Sequence, residues 1–404
     1  MSIKKTPADF RVEEILKPEF FAQVSGEALA HALYALEKEA LATPEAVGQI
    51  ARQLKLPSGS IAYAGLKDKH AHTNQHVTLK IASPEAAPGQ AQGNGWTLKR
   101  MGFVPRPIAA ADILRNRFVL TLRDLSDEAC TDMDAAVELL KIPGESGRAE
   151  VRVINYFGEQ RFGSARHHQG FLAKHLIRGD FEGALRLAIA TEARKDRREQ
   201  KVFKRTLSGN WGRWREVLPK LRRCPERRAI ERLANSGGDF RAAFCALPYL
   251  LQQLSVYAYQ SYLWNECARR LVAGVCAPKG PVLEFESDYG LLLFPSAEAT
   301  PPETAALELP LLARKTVLAE PWKEAAEATL AEEQIALADL QIPGVRRPFF
   351  GEEPRTLFFT TTGFELGAPE ADETAAGPNR KKRVVSFALP AGSYATILLR
   401  ALGQ

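Results

Sequence analysis

The sequence predicts an α+β fold in which one strand-rich domain is interrupted by a large helix-rich insertion. Two changes of pattern along the 404 residues support this prediction. Short alternating or apolar runs bounded by Gly and Pro dominate up to about residue 164 and again after residue 345. Residues 165–345 instead carry long helical patterns. We therefore expect a first domain made of 1–164 and 346–404 and an insertion made of 165–345.

The strands of the first domain are indicated by alternation or by short apolar runs. They are predicted within 4–16, at 61–64, 76–81, 96–104 and 117–123, from 151 onwards, and at 384–389. Residues 82–95, which are rich in Ala, Pro, Gly and Gln, are predicted to form a surface connection. One strand-like segment, 282–294, is expected inside the insertion.

Helices are predicted where apolar residues recur every three or four positions. In the first domain they cover 43–55, which starts with the N-cap and first-turn proline of Thr43-Pro44, then 127–140 and 392–401. The insertion is expected to contain helices over 170–205, 212–235 and 241–273. Residues 27–39 also read as a helix, because leucines 29, 33 and 36 share one helical face among strong helix formers.

Composition favours an ordinary globular protein, with 45% hydrophobic residues. There is no run of 18 apolar residues, so no membrane partner is expected, and the first residues lack the apolar core of a secretory signal. The five cysteines form no Cys-x-x-Cys pair, which favours reduced thiols over disulfides or a zinc site. We expect a cytoplasmic protein, and a monomer because no heptad pattern is present.

Positive charge is concentrated in one stretch of the insertion. The net charge is +6, but residues 194–232 contain 15 Lys and Arg against 5 Asp and Glu, together with Trp211 and Trp214. Basic residues interleaved with aromatic rings suit a phosphate backbone and its bases. The alternative is a solvated helical surface whose charges pair with one another.

A single carboxylate, Asp68, lies between Lys67 and Lys69 in the segment IAYAGLKDKHAHTNQHV, just after Gly65. A lone acid in a basic loop opened by glycine suits a carboxylate that works beside a polyanion. The alternative is a solvated hairpin loop without a function.

Motifs for several other chemistries are missing. The sequence has no Walker A, no GxGxxG after a strand, no HExxH and no GxSxG, so no nucleotide cofactor is expected. Histidines 70, 72, 76, 167 and 168 lack metal-ligand spacing with Cys or Glu, so no metal is expected. Three polar-aromatic loops at strand ends remain as candidate sites: 65–75, 115–118 and 155–163.

Six segments in series carry a resemblance to a known family. They are KKTPADFRVEE (4–14), YAGLKDKHAHTNQ (63–75), RNRF (115–118), NYFGEQRFG (155–163), YQSYLWN (259–265) and LPAGSYATILLRAL (389–402). With them the chain resembles the TruD family of tRNA pseudouridine synthases. The resemblance implies a pseudouridine synthase-type catalytic domain with a mixed, largely antiparallel sheet, interrupted by a helix-rich α+β insertion domain. It also implies a strand over 29–38, against the helical reading.

The resemblance further implies a reaction and its residues. The chain would isomerise uridine 13 in the D arm of tRNA, without a cofactor, using Asp68 as the catalytic carboxylate. Phe118 would pack on the target base, with Asn116 as its polar partner. The other residues implied to bind the substrate are Lys4, Phe10, Gln160, Arg161 and Phe162. Four of these residues have a structural alternative: Phe118 in the core of a strand, Asn116 in a turn, Lys4 in solvent, and Arg161 paired with an acid.

Contacts to the RNA backbone are expected from the basic residues near Asp68 and in the 194–232 stretch. We assign this role to Lys67, Lys69, Arg197, Arg198, Arg222 and Arg223. A second hypothesis remains open at this point, in which the chain is an RNA-binding or tRNA-folding module with a weak or silent site.

Overall fold

The structure is a computed structural model of the chain. It describes residues 3, 5–27, 30–57, 59–81, 87–144, 147–165, 169–193 and 196–403. The chain forms two compact units, one made of Met1–Val153 and Phe359–Gln404 and one made of Ile154–Phe358. The second unit thus begins before residue 165 and ends after residue 345, the limits predicted for the insertion.

The strands and helices of both units are numbered in chain order. The strands are β1 (Phe10–Leu16), β2 (His31–Glu39), β3 (Ile61–Tyr63), β4 (His72–Lys80), β5 (Gln90–Gly93), β6 (Trp96–Val104), β7 (Ile113–Leu125), β8 (Lys141–Pro143), β9 (Ala149–Ile154), β10 (Val282–Ser287), β11 (Gly290–Pro295), β12 (Glu308–Pro310), β13 (Pro354–Thr356), β14 (Phe358–Thr360), β15 (Thr362–Leu366), β16 (Glu370–Ala371) and β17 (Lys381–Pro390). The α-helices are α1 (Pro18–Phe21), α2 (Thr43–Gln53), α3 (Asp127–Leu140), α4 (Leu172–Ile177), α5 (Phe181–Leu185), α6 (Arg198–Ser208), α7 (Trp214–Val217), α8 (Arg227–Ser236), α9 (Phe240–Cys245), α10 (Tyr249–Val275), α11 (Pro302–Ala305), α12 (Lys323–Glu333) and α13 (Ala395–Ala401).

One large sheet organises the first unit. Its strands lie in the order β15, β17, β7, β1, β4, β2, β6 and β5, with β16 beside β17 and β3 beside β4. The pair β1–β4 is parallel, whereas the neighbouring pairs of β1, β2, β3, β6 and β17 are antiparallel. The predicted α+β fold with a mixed, largely antiparallel sheet is confirmed.

The strand β2 corrects the helical reading of residues 27–39. It lies between β4 and β6 in the middle of the sheet. On one face Tyr34 and Leu36 pack with Ile50 of α2, and on the other Leu33 packs with Phe20 of α1. Because both faces are buried, apolar residues do not alternate along the strand, and their spacing imitates a helix. The strand implied by the resemblance is confirmed for the described part of 29–38.

The strand β1 places alternate side chains beside those of β7. Its burial alternates, so that Phe10, Val12 and Glu14 lie on one face. Their partners across the β1–β7 pair include Phe118, opposite Val12, and Asn116, opposite Glu14. The register therefore places an aromatic ring and a carboxamide beside two positions of β1.

Helix α3 has the bounds predicted from its helical periodicity, 127–140. The hydroxyl of Ser126 accepts a hydrogen bond from the backbone N–H of Ala129 at 3.1 Å. The long helices predicted in the second unit are instead divided into shorter ones. Gly179 adopts a left-handed φ of 73° after α4, and Pro248 separates α9 from α10. The strand-like segment 282–294 is confirmed as the antiparallel pair β10–β11.

Candidate active site

The loop that carries Asp68 joins β3 to β4 and is fixed by buried polar side chains. The hydroxyl of Thr43 accepts a hydrogen bond from the backbone N–H of Lys67 at 3.0 Å and donates one to Gln75 Oε1 at 2.8 Å. The amide of Gln75 donates to the carbonyl of Gly65 at 3.4 Å. Thr43 and Gln75 are both fully buried. These bonds hold the first half of the loop against α2 and β4.

Lys38 of β2 holds the loop at Asp68 itself. Its ammonium donates to the carbonyl oxygen of Asp68 at 3.0 Å and to that of Leu41 at 2.7 Å, and the residue is 1% exposed. Burial lowers the pKa of Lys38 to about 8, and the charge of Asp68 opposes this shift. The Asp68 carboxylate is partly exposed and accepts a hydrogen bond from the backbone N–H of His70 at 2.9 Å. Lys38 thus fixes the main chain of Asp68, and the N–H of His70 orients its carboxylate.

A buried carboxylate, Glu14, fills a gap between β1 and β4. The two strands pair only as far as Glu13 and Asn74. Beyond that point Glu14 Oε1 accepts a hydrogen bond from the backbone N–H of His76 at 3.0 Å and lies 3.3 Å from His76 Nδ1. The side chain of Glu14 thereby replaces a backbone acceptor where the strands separate.

Lys67 joins this carboxylate to β7. Its ammonium lies 2.8 Å from Glu14 Oε2, and the two side chains are 8% and 0% exposed. It also donates to Asn116 Oδ1 at 2.7 Å. Burial alone would raise the pKa of Glu14, but the hydrogen bond with His76 and the charge of Lys67 hold it below its ordinary value.

The expected phosphate contact of Lys67 does not fit this environment. Its ammonium is buried and committed to Glu14 and Asn116, so it has no surface to offer to RNA. The hydrogen bond to Asn116 ties the Asp68 loop to the strand that carries Asn116 and Phe118.

Three phenylalanine rings form the aromatic part of the site. Phe118 and Phe387 face each other across the β7–β17 pair, and their rings stack with centroids 5.4 Å apart. The edge of Phe10 meets Phe118 at 6.2 Å. Phe118 is partly exposed whereas Phe10 and Phe387 are buried. Phe118 therefore offers a flat ring supported by two buried ones.

Four of the described residues that were predicted to be catalytic or to bind the substrate thus belong to the first unit: Phe10, Asp68, Asn116 and Phe118. The hydrogen bond between Lys67 and Asn116 links the loop of Asp68 to β7, which carries Asn116 and Phe118. Strand β7 in turn pairs with β1, which carries Phe10. Lys4 lies outside the described residues.

The third polar-aromatic loop belongs to the second unit. Gln160 is exposed. Arg161 Nε donates to Ser261 Oγ at 3.3 Å, and its guanidinium lies 5.1 Å from the ring centroid of Tyr257. Phe162 is 2% exposed and packs against two aromatic rings of the same unit. Phe162 therefore has a core role and offers no ring face to a substrate in this structure.

The other basic residues that were predicted to contact the RNA backbone differ in whether they form ion pairs within the protein. Lys69 lies 3.1 Å from Glu45, and both side chains are substantially exposed. Arg222 lies 2.5 Å from Glu199 at the surface. Three exposed arginines form no ion pair with any residue that the structure describes: Arg197, Arg198 and Arg223.

Sequence reasoning missed Lys38, Glu14 and Phe387 as parts of the site. Each acts through a partner far away in the chain, such as Asp68 for Lys38 and Lys67 for Glu14. A lysine or glutamate in a strand is most often exposed, so nothing local marks these two as buried. Glu14 stands next to Glu13 in the sequence, and only strand alternation distinguishes the buried one.

Some other site types were searched for in the described part of the chain. No group of three or more His, Cys, Asp or Glu side chains there could hold a metal ion. No helix among these residues is long and apolar enough to cross a membrane. The five cysteines are free thiols.

Comparisons with known proteins show which family the chain resembles over its length. A family model described as tRNA pseudouridine synthase D (TruD) matches residues 1–402. The tRNA pseudouridine synthase D of Aquifex aeolicus is 30% identical over 408 residues, which cover 99% of this chain and 97% of the relative. A protein of Methanococcus maripaludis named "Probable tRNA pseudouridine synthase D 1" is 27% identical, with 99% of this chain and 98% of the relative covered.

A solved structure is similar to this chain in fold. It is a crystal structure from Methanosarcina mazei titled "Putative tRNA pseudouridine synthase D (TruD)", which superposes with a TM-score of 0.69 at 24% identity and covers 99% of this chain and 92% of that one. The family is identified by the match over 1–402 and by the 30% identity with the Aquifex aeolicus protein over 99% of this chain. The chain belongs to the TruD family of tRNA pseudouridine synthases, isomerases that convert uridine in tRNA to pseudouridine.

Proposed function

We propose that this enzyme modifies the uridine at position 13, in the D arm of tRNA, and that Asp68 is its catalytic carboxylate. The single observation that carries the proposal is the fixed loop of Asp68. Lys38 binds the carbonyl of that residue at 3.0 Å, and the next residue back, Lys67, binds Asn116 at 2.7 Å. A carboxylate held in this way keeps its position relative to the aromatic strand.

The chemistry needs one well-placed carboxylate. The N-glycosidic bond of the uridine breaks, the base turns, and a bond from the sugar to a base carbon replaces it. That carbon loses one proton and the released ring nitrogen gains one, so the product is an isomer of the substrate. An ionised aspartate serves this reaction either as a nucleophile at the sugar or as a base that removes a proton from it. Both roles require Asp68 to be charged and to stay close to the sugar, and the buried Lys38 favours its charge.

The base is held by the aromatic and polar residues of the same unit. Removing a base from its stack costs a few kcal/mol, which a flat side chain in the pocket offsets. We assign this contact to Phe118, supported from behind by Phe387 and Phe10. Asn116 is the polar partner, and Lys4 is expected to approach the same pocket. Gln160 and Arg161 are proposed to contact the tRNA from the second unit.

The RNA backbone is proposed to lie against Lys69 and the basic stretch of the second unit. We expect tRNA affinity to fall by about 10-fold or more between 50 and 200 mM salt. Replacing Arg197, Arg198, Arg222 and Arg223 by glutamate should flatten this dependence in a filter-binding titration. The control is Lys315→Glu, an exposed residue elsewhere in the unit. A slope that stays as steep in the four-residue variant would mean that the stretch is a solvated surface.

We further infer that the enzyme works as a monomer in the cytoplasm, without a metal or nucleotide cofactor. The five free thiols support a reducing compartment. Sedimentation at micromolar concentration should give the mass of a single chain.

The target position is tested by mapping pseudouridine in tRNA transcripts. The purified protein, without additives, should form pseudouridine at position 13 and should leave a transcript with cytidine at that position unmodified. Pseudouridine formed at another position would contradict the proposed specificity. Binding without any pseudouridine would favour the alternative of an RNA-binding module.

A further inference from the structure

A surface groove of the second unit has aromatic walls that the catalytic proposal does not use. One wall is a face of α10, where Tyr249, Gln253 and Tyr257 follow one another at four-residue spacing. The other wall is the loop 348–353, which contains Phe349. The groove has a volume of about 250 Å³. The amide of Gln253 donates to the hydroxyl of Tyr257 at 3.0 Å, which fixes that wall.

The loop with Phe349 is anchored to α10. Gln260 is fully buried, and its amide donates to the carbonyl of Gly351 at 2.8 Å and to that of Leu312 at 2.9 Å. Phe349 itself is nevertheless 59% exposed, and Tyr249 is 49% exposed. Large apolar rings held in place at a surface are typical of a contact site.

A basic cavity adjoins this groove. It has a volume of about 740 Å³ and shares Tyr249 with the groove, and its lining includes Arg223 and Arg228. Neither arginine forms an ion pair with a described residue. At the other end of the same α10 face, Arg161 contacts Ser261 and Tyr257. Aromatic rings therefore lie between two sources of positive charge.

We propose that this groove and cavity bind an unpaired segment of the tRNA apart from the base that is modified. Bases would stack on Phe349 and Tyr249, and the adjoining phosphates would contact Arg223 and Arg228, an arrangement that suits single-stranded nucleic acid. The proposal rests on the proposed function, since it takes tRNA as the ligand.

The carboxylates of the groove narrow the choice of base. Glu352 and Glu353 are exposed and line it, and Glu352 is held by the hydroxyl of Thr316 at 3.0 Å. Carboxylates repel phosphate but accept hydrogen bonds from base amino groups, as in the contact of Glu with cytosine. The groove should therefore hold a base with an exocyclic amine, and not the backbone.

The test measures the affinity of the full-length protein for an unmodified tRNA transcript. Stacking of one base on an aromatic ring corresponds to about 5- to 140-fold in affinity. Phe349→Ala and Tyr249→Ala should each raise the Kd by that factor, whereas Phe349→Trp and Tyr249→Phe keep a flat ring and should bind like the wild type. The control is Val317→Ala, which removes an apolar side chain that is 80% exposed in the same unit.

The arginines give a second readout. Arg228→Gln should make the salt dependence of log Kd less steep by about 1, as expected for one lost phosphate contact. If both alanine variants bind tRNA as tightly as the wild type, the proposal is wrong and the groove serves another contact, for example with a protein. If Phe349→Ala does not fold, the Kd of Tyr249→Ala for tRNA alone tests the proposal. Because the Kd is measured without turnover, an inactive wild-type protein would contradict the proposed function alone.

Discussion

Removing the charge of Glu14 tests whether the buried pair with Lys67 holds the Asp68 loop. In Glu14→Gln the side chain keeps its size and one carbonyl oxygen, so His76 retains an acceptor. The ammonium of Lys67, which is 8% exposed and 2.8 Å from the carboxylate in the wild type, would lose its counter-charge.

The expected cost follows from the burial of both partners. Leaving one charge of a buried pair without its partner destabilises a protein by about 3–5 kcal/mol. A matched control is Glu45→Gln, which removes the partner of Lys69 on the same loop at 3.1 Å. That pair is 42% and 45% exposed, so its loss should cost about 0–1 kcal/mol.

The free energy of unfolding of each variant is measured by urea unfolding, and the values are combined in a double-mutant cycle. Replacing Lys67 by Met in the Glu14→Gln background removes the uncompensated charge, so the double variant should be more stable than Glu14→Gln alone. The coupling free energy should reach about 2 kcal/mol or more. A cost for Glu14→Gln no larger than that of Glu45→Gln would refute this reasoning.

The pH dependence of the same difference gives an independent check. The pKa of Glu14 is lowered in the folded state, so its contribution is complete above the unfolded value of ~4.3. It disappears as the pH falls through the folded pKa. The stability gap between the wild type and Glu14→Gln should therefore shrink only below about pH 4.

Two further substitutions probe the site. Because the pKa of Lys38 is lowered to about 8, the folded state binds fewer protons than the unfolded state between about pH 8 and ~10.4, and wild-type stability should gain from this group as the pH rises. Urea unfolding at pH 8 and pH 10 should show this gain in the free energy of unfolding, about 1–3 kcal/mol, for the wild type but not for Lys38→Met. Pseudouridine formation by Lys38→Met should also be slower, because the Asp68 carbonyl loses its hydrogen-bond donor. An equal pH dependence in both proteins would contradict this. Phe118→Leu should lower kcat/KM by about 10- to 100-fold while Phe118→Tyr retains it, since the ring stacks on the base. Reduced stability with unchanged kcat/KM in Phe118→Leu would instead make Phe118 a core residue only.

Much of the first unit could be predicted because its signals are local. The alternation over 117–123, the helical periodicity of α3 and the first-turn proline of α2 each depend on a few neighbouring residues. The N-cap predicted at Thr43 is wrong by one residue, because Ala42 holds that position. The error at β2 arose because a strand buried on both faces has no alternation to recognise. Gly179 and Pro248 interrupt the predicted helices 170–205 and 241–273 at positions where the apolar pattern continues.

The candidate site was predictable only in part, because some of its contacts depend on the pairing of distant strands. Asp68 stood out as a lone acid among basic residues, and the resemblance supplied Asn116 and Phe118. Burial of charge depends on the sheet register, which sets Glu14 opposite Asn116. Lys67 therefore read as a surface cation, although the fold makes it the partner of a buried carboxylate.

The most direct test of the central claim is the replacement of Asp68 by asparagine. Asparagine is nearly isosteric and can still accept the hydrogen bond from His70, so the loop should keep its form. We expect single-turnover reactions with a tRNA transcript to yield no pseudouridine, while the Kd for tRNA stays within a few-fold of the wild type. Pseudouridine formed by Asp68→Asn at a rate close to that of the wild type would contradict the assignment of Asp68 as the catalytic carboxylate.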